Sequence, residues 1–386
     1  MTKTAQLIVK TCPRRDLELE RVKDFLRANG YIVKKDIESR QWRRIPKEQT
    51  EMDADLVLLS TCAFSEVTEK ASFHDLQMTM NRIRPNAMLA VCGCLPDINP
   101  EALAQQFSGC SFGPLHYEAL NSLIGAKKTI EEFPIGNDIV RAGEGVFKIQ
   151  IQEGCPCRCS YCAINKTIGS LRSRAIDEVM SNFKIGLKEG HKDFALLGDC
   201  SGAFGKDRKE SLGQLLSDIA LLDEEFTLSL ADIAPFFLSG AFGPIKKLAQ
   251  NGRLKSISVA VQSASPRILR LMHRSCDMNL VKKMLLEISA ASPKLEKITS
   301  IIVGFPSETQ EELEQTLQFC REVGFQHVYC HGYSERPGVE SASISGKLSS
   351  KEITKRLEFA RKYLGEQVGC VTDPSEIDVY VKGETK

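Results

Sequence analysis

The clearest hydrophobic pattern in the chain begins at residue 146, where apolar and polar side chains alternate. Phe147, Ile149 and Ile151 are separated by single polar residues, which is the period-two pattern of a strand with one buried face. Further short apolar segments cover residues 194–198, 226–231, 256–262, 298–304 and 327–333. The second half of the chain therefore predicts six strands.

Amphipathic stretches with helical periodicity lie between these strands. They cover residues 175–189, 212–222, 245–249, 280–290 and 311–323. Strands that alternate with helices form parallel βαβ units with right-handed crossovers. Six units are fewer than the eight of a closed barrel, so the pattern predicts a partial (β/α)6 barrel with its active groups at the carboxyl ends of the strands.

The region 1–125 repeats the alternation on a smaller scale. Strands are predicted at residues 6–10, 31–34, 56–60 and 88–91, and helices at 16–28 and 66–84. We expect a separate N-terminal Rossmann-like α/β domain, whose strands end along one edge of a parallel sheet.

A run of four cysteines directly follows the strand at 146. Within Gly-Cys-Pro-Cys-Arg-Cys-Ser-Tyr-Cys, residues Cys155, Cys159 and Cys162 form a Cys-x-x-x-Cys-x-x-Cys motif. Three thiolates can hold three irons of a [4Fe–4S] cluster. The fourth iron then has no protein ligand, and such an open position is typical of catalytic metals. A zinc knuckle that also uses Cys157, or a group of free thiols, is the alternative at this point.

Three cysteines of the N-terminal region come just after predicted strands. Cys12, Cys62 and Cys94 have no local spacing motif, but a parallel sheet would bring the three strand ends to one edge. We expect a second cluster with an open iron there. The alternative is that cysteine merely fills three small apolar positions.

Composition narrows the class of protein. The chain has 386 residues, 51 basic and 50 acidic, so its net charge of +1 gives no global signature of nucleic-acid binding. Fourteen cysteines without a signal-peptide pattern favour metal or redox chemistry over disulfides. No apolar run is long enough to span a bilayer, and we expect no membrane association and a cytoplasmic location.

The segment around the cysteine motif resembles the cluster loop of radical S-adenosylmethionine (SAM) enzymes, including the aromatic Tyr161 before the last cysteine. The rest of the chain is similar to the radical SAM methylthiotransferases. The matching segments occur in the family's order: Thr61-Cys62, Cys92-Gly93-Cys94-Leu95-Pro96, Pro100-Glu101, Leu196-Leu197-Gly198, Val261-Gln262-Ser263, Ile302-Val303-Gly304-Phe305-Pro306 with Glu308, and Tyr333-Ser334-x-Arg336-Pro337-Gly338.

The resemblance implies a reaction that converts an unactivated C–H bond to C–SCH3. It implies two [4Fe–4S] clusters and SAM as cofactors, with Cys155, Cys159 and Cys162 at the cluster that cleaves SAM. It implies an N-terminal methylthiotransferase domain at 1–125 with an auxiliary cluster, a linker at 126–144, a radical SAM partial barrel at 145–350, and a C-terminal helix and short tail at 351–386.

Further residues receive roles through the same resemblance. Those expected to contact SAM are Tyr161, Arg174, Gln262, Ser263, Gly304, Phe305 and Pro306. Those expected at the catalytic or substrate rim are Asp199, Cys200, Ser229 and Asp232. Arg174 also fits a solvated arginine at a helix start, and Tyr161 also fits a packing aromatic.

Two departures from the family affect the substrate. Family members usually end in a small β-barrel, the TRAM domain, whereas residues 376–382 predict at most one strand of it. The polar residues expected after Gly198 are replaced by Asp199-Cys200-Ser201. A tRNA base, a protein or peptide residue, or a small metabolite are all retained as substrates, with flavodoxin or ferredoxin as electron donor. Sulfur insertion without methylation and a non-catalytic electron-transfer protein are the alternative functions.

Overall fold

The computed structural model describes residues 3–9, 13–36, 52–133, 145–365 and 369–371. These residues form a five-stranded sheet and an eight-stranded sheet. Among them, no helix combines the length and the hydropathy that a bilayer crossing requires.

The first sheet and its helices make up an N-terminal α/β domain. Its elements are β1 (Lys3–Val9), α1 (Pro13–Ala28), β2 (Tyr31–Asp36), β3 (Leu56–Thr61), α2 (Glu66–Met80), β4 (Met88–Gly93), α3 (Leu95–Ile98), α4 (Pro100–Ala104), β5 (Cys110–Phe112) and α5 (Ala119–Ile124). The strand order is β2-β1-β3-β4-β5, and every pair is parallel. This doubly wound order confirms the predicted Rossmann-like domain and places its topological switch point between β1 and β3.

The central strand β3 shows why this sheet forms. All six of its residues are buried, as is typical of a parallel strand that is covered on both faces. Two apolar cores flank the sheet, one on each side of the alternating side chains of β1, β3 and β4. The short strand β5 was not predicted, because its three residues carry no periodicity.

The second sheet belongs to the larger domain. Its elements are β6 (Val146–Glu153), α6 (Asn165–Ile168), β7 (Arg172–Ser173), α7 (Ile176–Lys188), β8 (Asp193–Gly198), α8 (Leu212–Ala220), β9 (Thr227–Ile233), α9 (Leu238–Gln250), β10 (Leu254–Val259), α10 (Pro266–Leu271), α11 (Met278–Ala291), β11 (Glu296–Val303), α12 (Gln310–Val323), β12 (His327–Gly332), α13 (Ser350–Leu364) and β13 (Gly369–Val371).

The six predicted strands are β6, β8, β9, β10, β11 and β12, and they lie side by side in chain order, all parallel. This is the strand order that six consecutive βα units produce, and it is consistent with a partial barrel. Two further strands were not predicted: β7 pairs antiparallel with β6 at one edge, and β13 pairs parallel with β12 at the other. Among the described residues the sheet therefore has two edges, β7 and β13, and does not close into an eight-stranded barrel.

The period-two pattern of β6 separates two environments. Phe147, Ile149 and Ile151 are at most 4% exposed and join the large apolar core. Gln150 and Gln152 on the opposite face are equally buried, and amide atoms of both side chains lack a hydrogen-bond partner. The inner face of the sheet is therefore polar, as a ligand-binding surface would be.

Two predicted helices differ from the observed ones. The helix predicted at 66–84 ends at Met80, where Asn81 caps it through its backbone N–H. The segment predicted at 245–249 is only the last part of α9, because Gly240, Gly243 and Pro244 conceal the helical periodicity of its first half.

The two domains contact each other through the start of α2. The backbone N–H of Glu66 donates a 2.8 Å hydrogen bond to Ser334 Oγ. Arg336, which is 4% exposed, forms an ion pair with Glu69. Ala163 and Val339 of the larger domain pack in an apolar core of the smaller one. The segment that contains Arg336 therefore joins the two domains.

Some sequence predictions fall outside the described residues. They are Cys12, the part of the linker at 134–144, and the C-terminal tail after Val371, including the candidate strand at 376–382.

Candidate active site

The cysteine loop begins at a tight turn directly after β6. Gly154 has a φ of +73°, and a Cβ there would lie 2.0 Å from the backbone oxygen of Ser170, so only glycine fits. Its N–H donates a 2.8 Å hydrogen bond to the Asp199 carboxylate, which follows β8. The N–H of Cys155 donates to the carbonyl of Gly169 at 3.3 Å. The start of the loop is thus tied both to the neighbouring strand and to the chain that leaves the loop.

Three thiols converge where this loop faces the end of β8. The Sγ atoms of Cys155, Cys157 and Cys200 all lie within 4.8 Å of one another. Hydrogen bonding to Cys157 raises the pKa of Cys155, whereas the hydrogen bond from Cys155 lowers the pKa of Cys157. Only Cys155 belongs to the three-cysteine motif. The fold therefore adds Cys200 to Cys155 and to Cys157, which the zinc-knuckle alternative had already included.

Of the other two cysteines of the motif, Cys159 contacts a buried cation. Arg274 Nη1 donates to Cys159 Sγ at 3.5 Å, while its Nη2 donates to the carbonyl of Ala260 at 2.6 Å. The N–H of Cys162 donates to the carbonyl of Cys159 at 3.0 Å, and burial raises the pKa of the Cys162 thiol to about 11. A guanidinium beside sulfur is complementary in charge to a metal-bound thiolate.

The donor set fits an iron–sulfur cluster. Cys155, Cys157, Cys159 and Cys162 are all free thiols in one loop, and no harder ligand is placed among them in the described loop. Soft thiolates are the ligands that iron–sulfur clusters use. The cation at Arg274 would offset the negative charge of a thiolate-bound cluster.

A second pair of thiols follows neighbouring strands of the N-terminal domain. Thr61 of β3 is paired in register with Gly93 of β4, so Cys62 and Cys94 each come one residue after the paired ends. Gly93 has a φ of +94°, and a Cβ there would lie 2.3 Å from the Thr61 oxygen. The Cys62 backbone is held by Ser72, whose Oγ accepts from its N–H at 3.0 Å and donates to its carbonyl at 2.7 Å.

The Cys94 thiol points toward the larger domain. Its Sγ accepts a hydrogen bond from Thr167 Oγ1 at 3.8 Å, and this hydroxyl shares its one proton with the carbonyl of Ile164 at 3.0 Å. Thr167 lies in α6, just after the cysteine loop. Cys92, two residues earlier, belongs to the opposite core of the sheet, where burial raises its pKa to about 12. Residues two apart in a strand share a face, but β4 ends at Gly93, whose positive φ turns the chain. Cys94 therefore lies in the core on the other side of the sheet from Cys92, which serves as an apolar core residue.

Two of the residues expected around SAM, Tyr161 and Arg174, contact neighbouring side chains in the structure. The Tyr161 ring packs edge-on against Phe305, with 6.5 Å between the ring centroids. Arg174 lies at the start of α7, where it pairs with Glu178 and donates to the carbonyl of Gln150 at 3.2 Å. Tyr161 therefore packs as its alternative expects, whereas the Arg174 side chain is only 12% exposed and is not a solvated arginine. Contact with SAM stays a prediction for each.

Two strand ends carry the remaining residues expected around SAM. Gln262 has a left-handed φ of +67° and bridges to Ile301 of β11, a strained conformation of the kind that clusters at functional sites. Ser263 is fully buried, with its hydroxyl 3.3 Å from that of Thr316. The turn Gly304-Phe305-Pro306 is buried, and Glu308 Oε2 accepts from the Gly304 N–H at 2.6 Å.

The expected rim residues do not all lie at the rim. Asp199 and Cys200 follow β8 and contact the cysteine loop, and Asp232 lies near the carboxyl end of β9 with a left-handed φ of +56°. Ser229 is the third residue of β9, four residues before its end. The expectation that it lies near the strand end is wrong, because β9 continues two residues beyond the predicted strand.

Several residues of the site were not found from the sequence. Gln150 and Gln152 line a cavity of about 410 Å³ between the N-terminal domain and the β6 edge of the second sheet, with Arg21 on one side and Arg174 on the other. Arg274, three residues after the end of α10, contacts the cysteine loop at Cys159. The two glutamines could have been found from the sequence, because they are polar residues in a strand that is expected to be buried. No local feature of the sequence marks Arg274.

Two segments of the chain match models of known protein families, and curated relatives match most of its length. Residues 149–320 match the model of the Radical SAM superfamily, and residues 6–112 match that of Uncharacterized protein family UPF0004. A tRNA-2-methylthio-N(6)-dimethylallyladenosine synthase from Bacillus pumilus is 32% identical over 373 residues, covering 88% of this chain and 71% of the relative. The enzyme of that name from Bacillus subtilis is 31% identical, covering 86% and 70%.

Solved structures share the fold at low identity. The radical SAM methyltransferase TsrM from Kitasatospora setae superposes with a TM-score of 0.62 at 13% identity, covering 88% of this chain and 77% of TsrM. The cobalamin-dependent enzyme OxsB gives 0.54 at 12% identity, covering 82% and 52%. The family's cofactors are SAM and [4Fe–4S] clusters, and the two matched segments with the Bacillus relatives show that the chain belongs to the radical SAM methylthiotransferase family.

Proposed function

We propose that the protein replaces the hydrogen of an unactivated C–H bond with a methylthio group, using two [4Fe–4S] clusters. Cys155, Cys159 and Cys162 would hold the first, and Cys12, Cys62 and Cys94 the second. The observation that carries this proposal is the hydrogen bond between Cys94 and Thr167, because it joins the second thiol set to the helix that follows the first.

The chain's own residues would position these groups. When bound, the cofactors supply a carbon-centred radical from SAM and sulfur for the new C–S bond. Gly154 and Asp199 fix where the cysteine loop begins, and Arg274 places a positive charge next to its sulfur. The apolar packing of Tyr161 against Phe305 would exclude water from one side of the loop.

We propose a tRNA base as the substrate. The relatives are named as tRNA-modifying synthases, and the 410 Å³ cavity has the size of a site for a small ligand or a nucleobase. Its buried glutamines can form paired hydrogen bonds with a base edge. A peptide residue or a small metabolite is the other outcome of the substrate test, and a flavodoxin or ferredoxin would supply the electron.

Iron content tests the two clusters. Reconstituted protein should contain about eight irons, four per cluster. The Cys155→Ala/Cys159→Ala/Cys162→Ala variant should keep about four, as should Cys12→Ala/Cys62→Ala/Cys94→Ala. Cys92→Ala is the matched control, because it removes a thiol from the opposite face of β4 and should keep both clusters. A wild type with only four irons would remove the second cluster from the proposal.

Labelled SAM tests the reaction. Reduced protein is incubated with tRNA from a strain that lacks the gene and with SAM labelled in its methyl group. Mass spectrometry should find a tRNA nucleoside that gained both sulfur and label. Sulfur without label would indicate thiolation alone. An intact cluster that releases no 5′-deoxyadenosine from SAM would instead favour the electron-transfer function, and product only on peptides or metabolites would replace tRNA as the substrate.

A further inference from the structure

Of the three thiols that converge in the described part of the chain, Cys200 is the sulfur donor that approaches the cysteine loop from the end of a different strand, β8. It is 5% exposed and comes two residues after Gly198, which is paired in register with Gln152 of β6. Its Sγ lies within 4.8 Å of the Sγ atoms of both Cys155 and Cys157. The neighbouring Asp199 binds the Gly154 N–H, so strand pairing and a side-chain hydrogen bond both fix this approach.

The three-cysteine motif leaves one iron of its cluster without a protein ligand. SAM occupies that iron during the reaction, but the enzyme also exists without SAM. A thiol is a better ligand for such an iron than water is, because thiolate sulfur is the preferred donor in iron–sulfur clusters.

We propose that Cys200 is an exchangeable fourth ligand of the cluster held by Cys155, Cys159 and Cys162. In the SAM-free protein its thiolate binds the open iron, and SAM displaces it. The Cys200 thiol releases one proton to solvent when its Fe–S bond forms and regains one when SAM breaks that bond, and no electron is exchanged. This inference rests on the first cluster of the proposed function and on neither the second cluster nor the substrate.

Cys157 is the competing donor, and its place in the chain argues against it. It lies between Cys155 and Cys159, and its N–H donates to Cys155 Sγ at 3.4 Å. If Cys157 bound the fourth iron, the same short loop would have to supply all four ligands and turn back on itself. Cys200 follows another strand, β8, and approaches the loop from outside it. A ligand that SAM must displace is better placed on an independent element, because the loop can then keep its three iron contacts unchanged.

Oxidation of the SAM-free protein tests the assignment. The full-length chain carrying Cys62→Ala/Cys94→Ala is reconstituted so that only the first cluster remains, and it is treated with one equivalent of ferricyanide. An iron without a protein ligand is lost first and leaves a three-iron cluster with its own electron paramagnetic resonance (EPR) signal. The parent should keep its four irons, whereas Cys200→Ala should lose one of the four and show the three-iron signal. SAM added before the oxidant should protect Cys200→Ala.

Two further variants decide between the outcomes. Cys330→Ala removes a buried thiol from β12 and should behave like the parent. Loss of iron by Cys157→Ala instead of Cys200→Ala would transfer the role to Cys157, and equal iron loss by the parent and Cys200→Ala would show that no fourth cysteine binds. Each result overturns the assignment of Cys200 while leaving formation of 5′-deoxyadenosine and methylthio product, the tests of the proposed function, untouched.

A second measurement covers the case in which Cys200→Ala does not assemble a cluster. The EPR spectra of reduced parent and Cys200→Ser should differ without SAM and become the same when SAM is saturating. Identical spectra without SAM would also overturn the proposal.

Discussion

The two thiol sets of this protein are built in opposite ways. Cys155, Cys159 and Cys162 lie in one loop whose start is fixed by the Gly154 turn. Cys62 and Cys94 are 32 residues apart in the chain and follow neighbouring strand ends because β3 and β4 pair in register. The first set depends on a local turn, whereas the second depends on the whole sheet. Local damage should therefore disable one set and spare the other.

Glycine substitutions at the two strand ends test this difference most strongly. Gly154→Ala places a Cβ 2.0 Å from the Ser170 oxygen, and Gly93→Ala places one 2.3 Å from the Thr61 oxygen. Since both neighbours are backbone atoms, the chain itself must move. We expect each variant to lose about four of the eight irons, from the first and second cluster respectively. Iron analysis and EPR after reconstitution measure this.

Gly252→Ala separates a clash from simple backbone strain. Gly252 also has a positive φ of +68°, but no atom lies within 4 Å of the added Cβ. It should cost about 1–3 kcal/mol of stability and no iron. If Gly154→Ala lost iron from both clusters equally, the two sites would not be independent.

The ion pair that joins the domains gives the next largest effect. Arg336→Met leaves the half-buried Glu69 carboxylate without its cation, which should lower the free energy of unfolding by roughly 3–5 kcal/mol. Because the pair joins the domains and lies outside the cysteine loop, formation of 5′-deoxyadenosine should survive while methylthio transfer falls. Urea denaturation and product analysis measure the two effects.

The double variant Glu69→Gln/Arg336→Met is the matched control. It removes both charges and should recover most of the lost stability, since no unpaired buried charge remains. A double variant as unstable as Arg336→Met would show that packing of the arginine, and not its charge, holds the domains together.

The sequence predicted the strands and the cysteine motif because both have short-range signals. Period-two alternation located β6, and the spacing of Cys155, Cys159 and Cys162 is itself the motif. Cys200 was expected at the rim, but its approach to Cys155 and Cys157 and the contact of Arg274 with Cys159 could not be predicted, because both form only after distant segments pack. The predicted strand near Ser229 ended at residue 231, two residues too early. β9 continues through Asp232, whose left-handed φ resembles that of a turn.

A pH-dependent prediction concerns only the larger domain. Glu308 binds the Gly304 N–H beside the turn at Phe305, and burial raises its pKa from 4.5 to about 7. The folded state therefore holds a proton that the unfolded state has released between these values. The free energy of unfolding should fall as the pH rises from about 4.5 to 7, by roughly 3 kcal/mol at 1.36 kcal/mol per pKa unit.

Glu308→Gln should remove this slope, because a neutral amide can still accept from Gly304 and does not titrate. The exposed Glu311→Gln at the start of α12 should keep it. The comparison is made by urea denaturation of the iron-free protein across pH 4.5 to 8. A slope that persists in Glu308→Gln would assign the titration to another group.

The smallest expected effect tests the contact between the two thiol sets directly. Thr167→Val keeps the shape of the side chain but removes the hydroxyl that donates to Cys94, a loss of about 1 kcal/mol. Both clusters should assemble, and 5′-deoxyadenosine should form at the wild-type rate. Methylthio transfer should fall about fivefold if that energy holds the two sites in register.

Thr167→Ser keeps the hydroxyl and should transfer normally. Equal transfer by both variants would mean that sheet register and the Arg336 ion pair alone align the two sites, because the direct contact would then add nothing.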